Sequence, residues 1–178
     1  KNSRSISGGG CNGSTTCTIS DSQDESVTIG NGGGTLTIES GGTINTSNNN
    51  NAIFVNNGAS NVTIVNEGTI DGNMNGQGVH GIKTDGGSTI VDSIVNTGSI
   101  LGKWNGVSVE NSSIVKTINN NGSISGNIGI LVTGNKSKIE TLNNKGTISG
   151  SRGVSIASNS TIENLNNSNT GFISSINI

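Results

Sequence analysis

Eleven acidic residues, nine basic residues and one histidine carry most of the chemistry open to this chain. The acids are scattered: Asp21, Asp24, Glu25, Glu39, Glu67, Asp71, Asp85, Asp92, Glu110, Glu140 and Glu163. Glycoside hydrolysis needs two carboxylates held about 5–9 Å apart across a cleft. Asp71 and Asp85 flank the longest corner segment, Gly72 to Gly81, with His80 inside it. That is the one place where an acid–base site of the polysaccharide lyase or hydrolase type can be drawn, and the segment reads better as a long solvated corner. With a single histidine there is no further nucleophile–histidine–acid set to propose. Zinc would want four ligands, and Asp71-Gly72-Asn73 lacks the rest of a calcium loop. The expectation is therefore a chain with no catalytic, metal or cofactor site, that is, not an enzyme.

The two cysteines are Cys11 and Cys17. Five intervening residues can close a small disulfide loop, whereas the redox-active spacing has two. A structural disulfide implies an oxidising, extracytoplasmic compartment.

Glycine supplies 29 of 178 residues, proline none, aromatics 2% and apolar residues 28%, with net charge −2. So few apolar residues cannot fill a wide two-layer core. Disorder would bring high net charge and few β-branched residues, yet Ile, Val and Thr are abundant. A repeat fold with a core one side chain deep fits better. The near-neutral charge and scarce aromatics exclude a nucleic-acid partner. No apolar run reaches the roughly 18 residues of a membrane span.

A beat runs through the chain: Gly42-Thr43-Ile44, Gly68-Thr69-Ile70, Gly98-Ser99-Ile100, Gly122-Ser123-Ile124, Gly146-Thr147-Ile148 and Gly171-Phe172-Ile173. Aligned on its glycine, an aliphatic stands four residues earlier (Ile38, Ile64, Ile94, Ile118, Leu142) and Ser40, Asn66, Asn96, Asn120 or Asn144 two earlier. After a short corner comes an alternating pair such as Val107 and Val109, or Ile130 and Val132. Apolar residues at period two in short runs are half-buried strands, and no segment shows a helical period. Three strands in about 25 residues without a helix make one coil of a parallel β-helix. The expectation is an all-β solenoid of about six to seven three-stranded coils, with aliphatic columns inside and an asparagine ladder at one bend. Its rod would be about 30 Å long. Residues 1–26 read as an N-terminal cap stapled by Cys11 and Cys17, and 27–178 as the repeats, truncated at the C-terminus.

The residue two after the second glycine of each repeat is Met74, Trp104, Ile128 or Arg152. Phe54 and Leu131 fall at outward positions of the next strand. Together these six form a candidate contact stripe, since exposed large side chains in a line favour binding; local packing over the corner is the competing reading. An ice-binding face would need regular Thr-x-Thr arrays. Thr35-Leu36-Thr37 stands alone, and the outward column Lys83, Ser108, Leu131, Ser155 is irregular.

The segment Cys11-Asn12-Gly13-Ser14-Thr15-Thr16-Cys17, then Leu36 to Ile44, then the repeated Asn-x-Gly-Thr/Ser-Ile-x-Gly units resemble the passenger domains of Gram-negative autotransporters. The resemblance is nearest to vacuolating-toxin-like and adhesin-like passengers of spiral bacteria. It covers essentially the whole chain. It implies a right-handed β-helix, secretion through a C-terminal membrane β-barrel in the parent chain, and display at the bacterial surface or release from it. The partners it implies are a host-cell surface protein or glycan, or like passengers in self-association. The protease motif of some passengers is missing, which favours an adhesive role. A polysaccharide-cleaving enzyme and a purely structural stalk stand as the alternatives.

Overall fold

The computed structural model describes residues 5–46 and 49–178. Each coil crosses three sheets in turn. The first sheet takes Thr16–Ile19, Gly34–Ile38, Val62–Asn66, Ile90–Asn96, Ile114–Asn120, Lys138–Asn144 and Thr161–Asn167. The second takes Ser22–Gln23, Thr43–Asn45, Thr69–Gly72, Ser99–Gly102, Ser123–Ser125, Thr147–Ser149 and Phe172–Ile173. The third takes Val27–Ile29, Ile53–Val55, His80–Asp85, Asn105–Glu110, Ile128–Val132, Arg152–Ile156 and Ile176–Asn177. Strands of successive coils pair in parallel, as in Ile70 on Ile100 and Ile118 on Leu142. The chain is a parallel β-solenoid of three sheets. Among the described residues the helical structure is one 3₁₀ turn, Met74–Gly76.

The core is a set of stacked columns. Ile44, Ile70, Ile100, Ile124 and Ile148 of the second sheet lie one above another, all fully buried. Ile53, Ile82, Val107, Ile130 and Val154 do the same in the third. Like residues stacked at the inter-strand spacing of about 4.8 Å bury each other's methyl groups, so a narrow core suffices.

The bend between the first and second sheets is held by carboxamides. Asn66 Nδ2 donates to Asn96 Oδ1 (2.8 Å), Asn96 to Asn120 (2.8 Å), Asn120 to Asn144 (2.9 Å) and Asn144 to Asn167 (2.9 Å). The same nitrogens reach main-chain oxygens, as Asn120 does to Thr147 O at 3.1 Å. The glycine that follows is required by space rather than by a left-handed backbone: a Cβ on Gly122 would lie 2.1 Å from Gly98 O, and one on Gly146 2.1 Å from Gly122 O.

Two expectations shift register. Ile38 stacks on Asn66 and Leu36 on Ile64, so Ile38 does not belong in the Ile64 column nor Ser40 in the asparagine column. Thr43 still pairs with Thr69. The corner from Glu39 to Gly42 is two residues longer than its counterpart Glu67–Gly68, and it absorbs the offset. Residues assigned to the cap also divide. Ile6–Gly8 lies antiparallel to both Val27–Ile29 and Cys11–Ser14, closing the end of the third sheet. Thr16–Ile19 and Ser22–Gln23 already pair in parallel with the next coil, so the solenoid begins inside the segment 1–26. Cys11 and Cys17 are disulfide-bonded, tying the antiparallel cap to the first parallel strand over the core.

Substituting Asn120→Ala leaves the Asn144 Oδ1 acceptor without its donor inside a buried column, while Asn96 Nδ2 keeps Gly98 O and Ser123 O. A buried polar group so orphaned costs about 1–3 kcal/mol. The urea midpoint should fall by an amount equivalent to about 1–3 kcal/mol, whereas Asn121→Ala at the exposed neighbour should leave it within about 0.5 kcal/mol.

Candidate functional site

Outward positions of the third sheet bring the one histidine into a polar cluster. His80 pairs with Asn105, Lys83 with Ser108, and Asp85 with Glu110 across two adjacent coils. His80 Nδ1 accepts the Asn105 main-chain N–H at 3.2 Å, and His80 Nε2 lies 3.6 Å from Glu110 Oε2. Ser108 Oγ donates to Glu110 Oε2 at 2.6 Å and accepts from Asn105 Nδ2 at 3.1 Å. Lys83 Nζ sits 3.7 Å from Glu110 Oε1 and 3.8 Å from Asp85 Oδ2. Ser108 is fully buried beneath these groups. Its hydroxyl is thus hydrogen-bonded to the Glu110 carboxylate and the Asn105 amide. Burial holds the His80 pKa below its ordinary 6.5, with Lys83 pushing the same way and Glu110 opposing.

The acids that flank the long corner separate. Asp85 joins this cluster, while Asp71 lies on the second sheet with its carboxylate accepting the Asn73 N–H at 2.8 Å. Glu110, the hub, stood among scattered acids in the sequence. Aligning Val107 and Val109 with Ile82 and Thr84 puts it beside Asp85, and that alignment was the signal. Among the described residues no group of three or more His, Cys, Asp or Glu is placed to hold a metal ion.

The contact stripe is not one line. Arg152 stacks on Ile128, and Ile128 on Asn105, not on Trp104. The turn from Gly102 to Asn105 holds Lys103 and Trp104, whereas that from Gly126 to Ile128 holds only Asn127, so counting from the glycine misplaces Trp104 by one. Trp104 is half exposed at the corner, with its main-chain N–H donating to Val79 O and Lys103 Nζ 5.5 Å from its ring centroid. Met74 is carried in the 3₁₀ turn of the preceding coil's corner. Leu131 stacks between Ser108 and Ser155, and Phe54 between Thr28 and Lys83. Phe54 and Leu131 therefore share a column of the third sheet with two polar residues between them.

The regular surface is elsewhere. On the outside of the first sheet one column runs Thr16, Thr35, Thr63, Ser93, Thr117, Thr141, Asn164. The next runs Thr18, Thr37, Val65, Val95, Asn119, Asn143, Asn166. Every member is partly buried or exposed, and none is fully buried. Thr35-Leu36-Thr37 is thus not alone: Thr16-Cys17-Thr18 lies directly beneath it. The long Glu39–Gly42 corner hid this alignment from a count based on the beat. Asn143 Nδ2 donates to Asn119 Oδ1, and Asn166 Nδ2 to Asn143 Oδ1, both at 2.9 Å, forming an external amide ladder. A recess of about 500 Å³ opens along it, lined in part by Asn119, Asn143, Lys145 and Asn166.

No known protein family, curated protein or solved structure matches this chain.

His80 has a definite pH signature. Its neutral form is favoured in the folded state, so the unfolded chain takes up the proton first. Stability is unaffected by this group above pH 6.5, falls as pH drops through that value, and levels out below the lowered native pKa. Thermal melts from pH 8 to 5 should show this loss in the parent chain, and His80→Asn, which keeps an acceptor near Nδ1, should flatten it.

Proposed function

We propose that this chain is a non-catalytic, passenger-type β-solenoid that works by surface contact, in adhesion to host cells or in self-association. The observation that carries the reading is the pair of registered columns on the outside of the first sheet. Core packing constrains only inward residues, so outward positions are free to vary from coil to coil. Threonine and valine at such positions also suit a strand. Asparagine does not, yet Asn119, Asn143 and Asn166 occupy one column. A repeating, mostly polar face offers many weak contacts at a fixed spacing, and such contacts multiply when they are joined on one body.

The resemblance to autotransporter passengers supports a place at the bacterial surface or outside the cell, reached through a membrane β-barrel of the parent chain. The Cys11–Cys17 disulfide is compatible with that oxidising location. Trp104, half exposed beside Lys103, is a second contact candidate at the corner between the second and third sheets.

Placing one charge in each column tests the reading. Thr117→Lys with Asn143→Lys should reduce adhesion to cultured host cells or self-association by about tenfold or more, each tenfold being about 1.4 kcal/mol. The β-sheet circular dichroism should stay unchanged. Trp104→Ala should weaken the same contacts more modestly. Full adhesion and full self-association in all these variants would sink the proposal.

A further inference from the structure

The two registered columns on the outside of the first sheet contain no Asp, Glu, Lys or Arg. Charge stands at their borders. At the asparagine bend a bordering column runs Glu39, Glu67, Thr97, Asn121, Lys145, Ser168. Its members are joined to the coil beneath through the main chain, as in the Thr97 N–H on Asn66 O and the Lys145 N–H on Asn120 O. All six are exposed. The column is acidic toward the N-terminal coils and basic toward the C-terminal ones. Among the described residues neither Glu67 nor Lys145 enters an ion pair.

The opposite border is made by one extra residue in the later strands: Asp92 between Val91 and Ser93, and Lys116 between Val115 and Thr117. Val62 is followed directly by Thr63, so the preceding coil has no residue there. Lys116 Nζ lies 3.5 Å from Asp92 Oδ1 on the adjacent coil, and both side chains remain about half exposed.

An uncharged centre with charge at its edges is the layout of a protein contact, whose core is depleted of charged residues and whose rim is polar. The order of the charges selects the partner. A second copy can lie with its first sheet against this one and its coils running the opposite way, about a two-fold axis midway between the coils of Ser93 and Thr117. Glu67 is one coil before Ser93 and Lys145 one coil after Thr117, so Glu67 of each copy meets Lys145 of the other. Asp92 meets Lys116 in the same way, and the four charges alternate around the axis. Thr63 lies opposite Thr141, and Ser93 opposite Thr117. Val65 and Val95 lie opposite Asn143 and Asn119, whose amide bond runs from coil to coil within one copy. Glu39 meets Ser168, and no like charges face each other. Moving the axis by half a coil sets Asp92 against Asp92 or Lys116 against Lys116, and a parallel arrangement breaks both pairings.

We propose that the outside of the first sheet is a self-recognition surface on which two copies of this chain pack face to face and antiparallel, in the register set by Glu67 with Lys145 and Asp92 with Lys116. The proposal rests on the reading of this sheet as a contact face and names its partner. Strand and coil spacings give roughly 500 Å² of flat area per copy, or about 1,000 Å² in the pair, at the lower edge of specific interfaces. The association is therefore weak and reversible.

The test is sedimentation velocity of the full 178-residue chain, over about 10 μM to 1 mM protein and at about 0.05 and 0.5 M salt. The parent should form a dimer that loosens at the higher salt. Glu67→Lys or Lys145→Glu alone turns two symmetry-related attractions into repulsions and should weaken the dimer by about tenfold. Both substitutions in one chain should restore it, and so should an equal mixture of the two single variants. All these chains should melt with the parent, because both residues are exposed. A parent that stays monomeric throughout, single variants that dimerise like the parent, or a combined variant or mixture that fails to recover would each overturn the proposal. Host-cell adhesion is measured on the same chains. Adhesion by a chain that stays monomeric overturns the dimer and leaves the surface-contact reading standing.

Discussion

Each buried carboxamide in the column Asn66, Asn96, Asn120, Asn144, Asn167 donates to the oxygen of the next. An amide in a dry bend must satisfy both its oxygen and its nitrogen. Within the column it does so because the coils beneath and above hold the same residue at the same height; at the end of the column Asn66, which lies on Ile38, accepts the Gly68 N–H instead. The ladder therefore fixes the register of the bend, and the strands on either side inherit it. Ile94 stacks on Ile118 on one side of the bend, and Ile100 on Ile124 on the other. The close approach of backbones beside the ladder leaves no room for a Cβ on Gly98, Gly122 or Gly146.

Between Asn66 and Thr147 every copy of that bend is two residues long, and variation moves to its end copies and to the other two bends. Between the second and third sheets the connection ranges from two residues, as in Gly126-Asn127, to the seven residues 73–79 with their 3₁₀ turn. Between the third and first sheets the turns use left-handed Asn57, Asn61, Gly86 and Asn111, and a recess beside Phe54 opens between the Asn57 and Gly86 turns. The outer faces carry the rest: the hydroxyl and amide columns on the first sheet, and the His80–Glu110 cluster on the third. The solenoid behaves as a rigid ruler, in which one bend sets the pitch and the remaining surfaces are free to differ.

The beat of glycine, threonine or serine, and isoleucine was legible because it recurs in the chain and because the second-sheet strand it encodes is short. The disulfide was legible from the spacing of Cys11 and Cys17. Placement of the outer faces was not. Two extra residues between Glu39 and Gly42 shift Thr35 and Thr37 relative to the beat, so the threonine columns look broken when read in one dimension. One extra residue before Asn105 does the same to Trp104. Corners absorb insertions without disturbing the strands they join, so a count that crosses a corner carries its error into the next sheet.

Composition and periodicity by themselves determined the architecture: stacked three-stranded coils, an aliphatic interior one side chain deep, and an asparagine bend. These follow because inward residues must match their neighbours above and below, and that demand writes a repeat into the chain. Only the tertiary structure decided which outward residues meet. It placed Glu110 beside His80 and set Thr16 under Thr35. No packing rule governs outward residues, so their meeting depends on the length of every corner between them.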